Sequence, residues 1–113
     1  MQKRILRVNQ LIQKELSQIV LKEVEFPSNL LVTITRVQTS SDLKEVKVYV
    51  SCLPDDEVSR VLQILGKLVY PLQKKLNKRL KMKPIPRIKF VQEFKTREAG
   101  RVEELLEEIK NNY

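Results

Sequence analysis

Apolar positions recur every three or four residues between residues 4 and 23: Ile5, Val8, Ile12, Leu16 and Ile19, flanked by Leu11 and Val20. That spacing keeps one side of an α-helix apolar and predicts a helix over the segment. Phe26-Pro27-Ser28-Asn29 ends it, because the residue before a proline is driven out of helical backbone. The period then drops to two. Residues 30–38 read as a strand, with Val32 and Ile34 on one face and Thr33, Thr35 and Val37 on the other. After the polar turn Thr39-Ser40-Ser41-Asp42, residues 44–52 alternate cleanly. Val46, Val48, Val50 and Cys52 point one way; Glu45, Lys47, Tyr49 and Ser51 point the other. Two such strands and a short polar loop predict an antiparallel hairpin with one buried face.

Pro54-Asp55-Asp56-Glu57 reads as a helix start, with acids at the positive end of the dipole. Val58, Val61, Leu62, Leu65, Leu68 and Val69 carry its apolar stripe. Pro71 falls within the pattern and should kink the helix or divide it, leaving Leu72, Leu76 and Leu80 on one face of a second half. Pro84 and Pro86 close that half; residues 87–92 form a short strand with Ile88 and Phe90 inward. A closing helix is expected over residues 96–112, with Val102, Leu105, Leu106 and Ile109 apolar. The order α-β-β-α-(kink)-α-β-α predicts an α+β fold, one small sheet with helices packed on one face. At 113 residues it is expected to be a single domain, 1–113, with 96–113 as its C-terminal helical part.

Composition removes most enzyme chemistry. There is no histidine, one cysteine (Cys52) and two glycines. Histidine-based acid–base or nucleophile pairs, thiolate metal clusters and glycine-rich phosphate loops are therefore excluded. Asp55, Asp56 and Glu57 are explained by helix capping, so neither catalytic residue, metal nor cofactor is expected. No apolar run reaches the ~18 residues of a membrane span, and the N-terminus lacks the continuous apolar core of a signal peptide. The expectation is a reduced, cytoplasmic, monomeric protein with Cys52 half-buried.

Charge changes the picture most. Twenty-two Lys and Arg against fourteen Asp and Glu give a net charge of +8. Between Lys67 and Gln92 there is no acid, and Lys67, Lys74, Lys75, Lys78, Arg79, Lys81, Lys83, Arg87 and Lys89 supply nine cations. At ~100° per residue, Lys74, Lys78 and Lys81 fall opposite Leu72, Leu76 and Leu80. Unrelieved positive charge repels itself, and a polyanion relieves that repulsion. The candidate RNA-binding residues are Lys67, Lys74, Lys75, Lys78, Arg79, Lys81, Lys83 and Arg87, with Arg4 and Arg7 extending the patch if the first helix packs alongside. Lysines are point charges suited to phosphates rather than base edges.

Helix, hairpin, two helices and strand is the order of a type II KH-like domain. A KH domain grips nucleic acid with a GxxG loop between its central helices. Gly66-Lys67-Leu68-Val69 lacks the second glycine. Together with Val32-Thr33-Ile34-Thr35-Arg36-Val37-Gln38-Thr39-Ser40-Ser41-Asp42-Leu43 running into Val46-Lys47-Val48-Tyr49-Val50-Ser51, this pattern resembles the ribosome-binding factor A family of bacterial small-subunit assembly factors. Pro86-Arg87-Ile88-Lys89-Phe90 and Gly100-Arg101-Val102 with Leu105-Leu106 are similar to later family segments. Phe26-Pro27-Ser28 departs from the family's acid-Pro-Arg, and Leu68-Val69-Tyr70 from its Ala-x-Gly kink. The resemblance implies a non-catalytic protein that binds the free or immature small ribosomal subunit and its ribosomal RNA. It also implies a part in late maturation and RNA end processing. The alternative is a general KH-like module for single-stranded RNA. The two separate by whether short unstructured oligonucleotides bind tightly.

Overall fold

Six helices and strands follow one another in the computed structural model, which describes residues 3–94: α1 (Lys3–Glu23), β1 (Leu31–Thr39), β2 (Glu45–Leu53), α2 (Val58–Lys67), α3 (Val69–Arg79) and β3 (Arg87–Gln92). A single 3₁₀ turn, Asp55–Glu57, leads into α2. The strands form one sheet in the order β1-β2-β3. β1 and β2 pair antiparallel; β2 and β3 pair parallel, joined by the α2–α3 crossover. This is the α+β, type II KH-like arrangement. The helix expected over residues 96–112, with Gly100-Arg101-Val102 and Leu105-Leu106, lies outside the described residues.

The apolar stripes become the core. Ile5, Val8, Ile12, Leu16, Ile19 and Val20 of α1 are buried, while Leu11 stays 41% exposed. They meet Val46, Val48, Val50 and Cys52 of the central strand, and Val58, Val61, Leu65, Leu72, Leu76 and Leu80 from the crossover. Each fully buried aliphatic side chain contributes on the order of 1.5–3 kcal/mol. Cys52 is 4% exposed, buried rather than half-buried, and its Sγ–H donates to the Pro54 carbonyl at 3.3 Å. Burial, then the acids Asp55, Glu57 and Asp56, push its pKa up.

Two expectations are corrected, and the division expected from Pro71 is located. Val37 faces the core, not the outer side with Thr33 and Thr35. A bulge between Ile34 and Arg36 adds one residue and reverses the alternation, so Val37 opposes Val48 and Thr39 opposes Val46. The long helix breaks at Leu68, three residues before Pro71. The proline ring clashes with the carbonyl four residues back, and that residue, Lys67, is where α2 stops. Pro71 then sits in the first turn of α3, where its missing N–H is not needed. Finally, Lys81 lies beyond α3, which ends at Arg79, so it does not share a helical face with Lys74 and Lys78. Leu80 has extended backbone (φ −94°, ψ 137°).

The turn after β1 is self-bonded. Ser40 Oγ donates to Asp42 Oδ1 at 2.6 Å, and Asp42 Oδ1 accepts the Lys44 N–H at 3.1 Å. The Ser40 hydroxyl, and then the Lys44 N–H, hold the Asp42 carboxyl below its usual range. Asn9 of α1 accepts both the N–H and the hydroxyl of Thr39, at 2.9 and 2.6 Å. The segment that carries much of the family resemblance is thus a structural buckle between helix and hairpin.

Candidate nucleic-acid interface

All ten candidate cations are exposed. Their surroundings divide them. α3 packs antiparallel on α1: Lys75 Nζ lies 3.6 Å from Glu23, and Arg79 Nη1 lies 3.0 Å from Glu15. Arg79 also donates to Gln18 Oε1 at 3.1 Å. These two cations sit in the helix–helix groove with their charge already met by α1. Lys67, Lys74, Lys78, Lys81, Lys83 and Arg87 form no ion pair among the described residues. Lys74 Nζ stands 5.9 Å from the Tyr70 ring centroid, and the ring itself is 75% exposed.

The uncommitted cations of α3 and the loop after it are held by an apolar underside. Leu72 and Leu76 bury 98–100% of their surface beneath α3, about 6 Å apart along the axis, the same rise that separates Lys74 from Lys78 above. Beyond the helix, buried Leu80 and core-packed Met82 alternate with exposed Lys81 and Lys83, so extended backbone continues the two-sided pattern. Lys78 and Arg79 also complement the negative end of the α3 dipole.

One residue that sequence reasoning missed fixes this loop. Gln73 Oε1 accepts the Ile88 N–H at 2.8 Å, and its Nε2 donates to the Pro86 carbonyl at 3.1 Å. A single amide therefore ties α3 to the start of β3 and sets where Lys81, Lys83 and Arg87 emerge. A glutamine between Leu72 and Lys74 carries no periodic signal that would have revealed it.

Arg4 and Arg7 lie on the α1 turns before Glu15. The antiparallel packing brings that end of α1 towards the C-terminal end of α3. At ~100° per residue, Arg4 falls about 20° around the helix from Glu15, the residue that meets Arg79. Gly66 is the lone glycine at the α2–α3 junction. A Cβ there would meet nothing within 4 Å, so no close backbone approach among the described residues requires it.

The outer face of the sheet carries a second polar group. Arg36 Nε donates to Glu93 Oε1 at 2.8 Å, and Thr35 Oγ1 donates to the same oxygen at 2.8 Å. Burial pushes the Glu93 carboxyl up, but the hydrogen bonds from Arg36 and Thr35, with the Arg36 charge, together hold it below its usual range. The Arg36 guanidinium lies 3.7 Å from the Tyr49 ring centroid, and the Tyr49 hydroxyl donates to Gln38 at 3.1 Å. One side of that ring is therefore occupied, and a base could stack only on the other.

No helix among the described residues is long and apolar enough to cross a membrane. A family model described as ribosome-binding factor A matches residues 4–106. Ribosome-binding factor A of Thermodesulfovibrio yellowstonii is 32% identical over 108 residues, covering 96% of this chain and 92% of its own. The crystal structure of ribosome-binding factor A from Thermus thermophilus superposes with a TM-score of 0.67 at 22% identity, covering 78% of this chain and 94% of that one. A Thermus thermophilus ribosome binding factor A homology model, fitted into a cryo-EM map of a 30S complex, gives a TM-score of 0.62 at 24% identity. It covers 74% of this chain and 88% of that one.

Proposed function

Since the chain belongs to the ribosome-binding factor A family, we propose that it binds the small ribosomal subunit by laying the α3 ridge and the following loop along ribosomal RNA phosphates. The observation that carries this reading is the run Lys74, Lys78, Lys81 and Lys83 on α3 and the loop after it, exposed without ion-pair partners among the described residues where Leu72, Leu76 and Leu80 are buried, with Lys67 at the end of α2 and Arg87 at the start of β3 flanking it. Such a row tracks phosphates, while the rigid shape of the domain selects the site. Arg4 and Arg7 extend the row at one end. Lys75 and Arg79 belong to it by position, with their charges shared with Glu23 and Glu15. The 30S complex of the Thermus relative supports the small subunit as partner.

In this reading the protein is a non-catalytic, monomeric, cytoplasmic assembly factor made of one domain. It acts on the free or immature subunit, in late maturation and RNA end processing. The absence of a second glycine beside Gly66 sets it apart from a general single-strand module, which would clamp nucleotides there. The test is sedimentation of cell extract through a sucrose gradient. The protein should travel with free small subunits and be missing from joined ribosomes. A Lys74→Glu, Lys78→Glu, Lys81→Glu variant should stay at the top of the gradient while folded. Co-sedimentation of that variant at wild-type level refutes the assignment of the ridge.

A further inference from the structure

At the C-terminal end of α3 the surface sinks into an open depression of about 640 Å³, lined by Asn77, Leu80, Lys81, Met82, Lys83 and Ile85. Its floor is apolar. Leu80 is 5% exposed, and half-buried Met82 and Ile85 pack against the core. Its rim is polar. Asn77, Lys81 and Lys83 are exposed, and neither lysine forms an ion pair among the described residues. Floor and rim suit different chemistries. The two ammonium groups suit phosphates, which stay hydrated and would leave an apolar floor unfilled. A ligand that satisfies both has a flat apolar body with phosphates on either side.

A chain of hydrogen bonds adds a third requirement. Gln73 Nε2 donates to the Pro86 carbonyl at 3.1 Å and to Asn77 Oδ1 at 3.0 Å, while Gln73 Oε1 accepts the Ile88 N–H. Both hydrogens of the Gln73 amide are thus used, and they hold the Asn77 oxygen. Asn77 Nδ2 donates to nothing among the described residues, so the rim carries a fixed donor for an acceptor on the ligand.

We propose that this depression takes one unstacked RNA base. Its face lies on Leu80, Met82 and Ile85, an acceptor on its edge meets Asn77 Nδ2, and the phosphates beside it meet Lys81 and Lys83. This inference rests on the ridge reading and deepens it: the RNA under the ridge carries a bulged or looped-out nucleotide. In a paired stem the base faces are covered by their neighbours, so only a splayed nucleotide reaches such a floor. The polarizable thioether of Met82 makes favourable contacts with aromatic rings. Lys81 and Lys83 belong to the run already placed along phosphates, so RNA backbone that follows α3 passes the mouth of the depression.

The test uses the full chain and two RNA duplexes of equal charge. One carries a single bulged uridine, whose O2 and O4 are acceptors; the other carries an abasic residue at the bulge. The uridine duplex should bind about tenfold or more tightly, with the same salt slope. The chain has two methionines, Met1 and Met82, and the Met82 ε-methyl should show NOEs to H5 and H6 of the bulged uracil. Asn77→Ala, at an exposed position, should shrink the preference by about threefold or more and leave the abasic affinity unchanged. Equal affinity for the two duplexes with a steep salt slope overturns the base site and leaves the ridge standing. A preference without Met82 NOEs, or one unchanged in Asn77→Ala, also overturns it, because the base is then read elsewhere. If neither duplex binds at low salt, the ridge reading falls and the base site with it.

Discussion

If the ridge on α3 holds phosphates, the salt dependence of binding counts the cations involved. Each phosphate neutralised lowers log K by about 0.7–0.9 per decade of salt. The six cations without ion pairs among the described residues, Lys67, Lys74, Lys78, Lys81, Lys83 and Arg87, therefore give a slope of about −4 to −5. Affinity should fall about a thousandfold between 50 and 200 mM salt. Replacing Lys74, Lys78 and Lys81 by Gln should flatten the slope by about 2 to 3. The structure then makes a sharper claim. Lys75 and Arg79 are neighbours of these lysines in sequence but are engaged by Glu23 and Glu15. A Lys75→Gln, Arg79→Gln variant should change the slope by less than about 1. It should lower stability by about 0–1 kcal/mol per pair, the ordinary worth of exposed ion pairs. Fluorescence anisotropy with a fragment of small-subunit RNA, titrated at four salt concentrations, measures all three slopes. If the second variant flattens the slope as much as the first, charge is read without regard to the α1 pairs, and the division of the ridge made here is wrong. If neither variant changes it, the ridge does not touch RNA.

Three further outcomes are expected. Leu76→Ala removes a fully buried side chain between α3 and the core and should cost about 2–5 kcal/mol in a denaturant titration; a loss below about 1 kcal/mol would mean that the α3 underside is not closely packed. Gly66→Ala should leave RNA affinity unchanged and raise stability by up to about 1 kcal/mol, since the position is helical and a Cβ meets open space; weakened RNA binding would reinstate a glycine clamp. Glu93 has a lowered carboxyl pKa in the fold, so its contribution is present above the unfolded value, about 4.3, and lost as pH falls through the folded one. The stability gap between wild type and Glu93→Gln should therefore narrow in acid unfolding curves as pH drops below about 4, and a gap constant from pH 7 to pH 3 would contradict the Arg36 pairing.

Much of this fold is legible in the residues because each stripe obeys one period over its whole length. Ile5 through Ile19, Val46 through Cys52, and Leu72 with Leu76 and Leu80 are buried as their spacing requires. What was not legible depends on partners distant in sequence. The bulge at Thr35 arises from pairing with β2, and it moved Val37 to the core face. Lys81 continues the helical charge pattern on paper, but extended backbone at Leu80 had already ended the helix. The ion pair of Arg79 reaches back to Glu15, a separation no local pattern encodes. Gln73 likewise acts through the backbone of Pro86 and Ile88. The basic run was thus visible at once, while the division between engaged and available charges required the packing of α1 on α3.

The central position of β2 has a consequence for the protein's own synthesis. Its antiparallel neighbour precedes it, whereas its parallel neighbour, Arg87–Gln92, emerges only after both crossover helices. Until then the nascent hairpin presents a bare row of amides and carbonyls beside Val46, Val48 and Val50, a template for unwanted pairing. The charged residues Lys44, Glu45 and Lys47 stand at the start of that strand, the kind of side chains with which exposed edges discourage pairing with another chain.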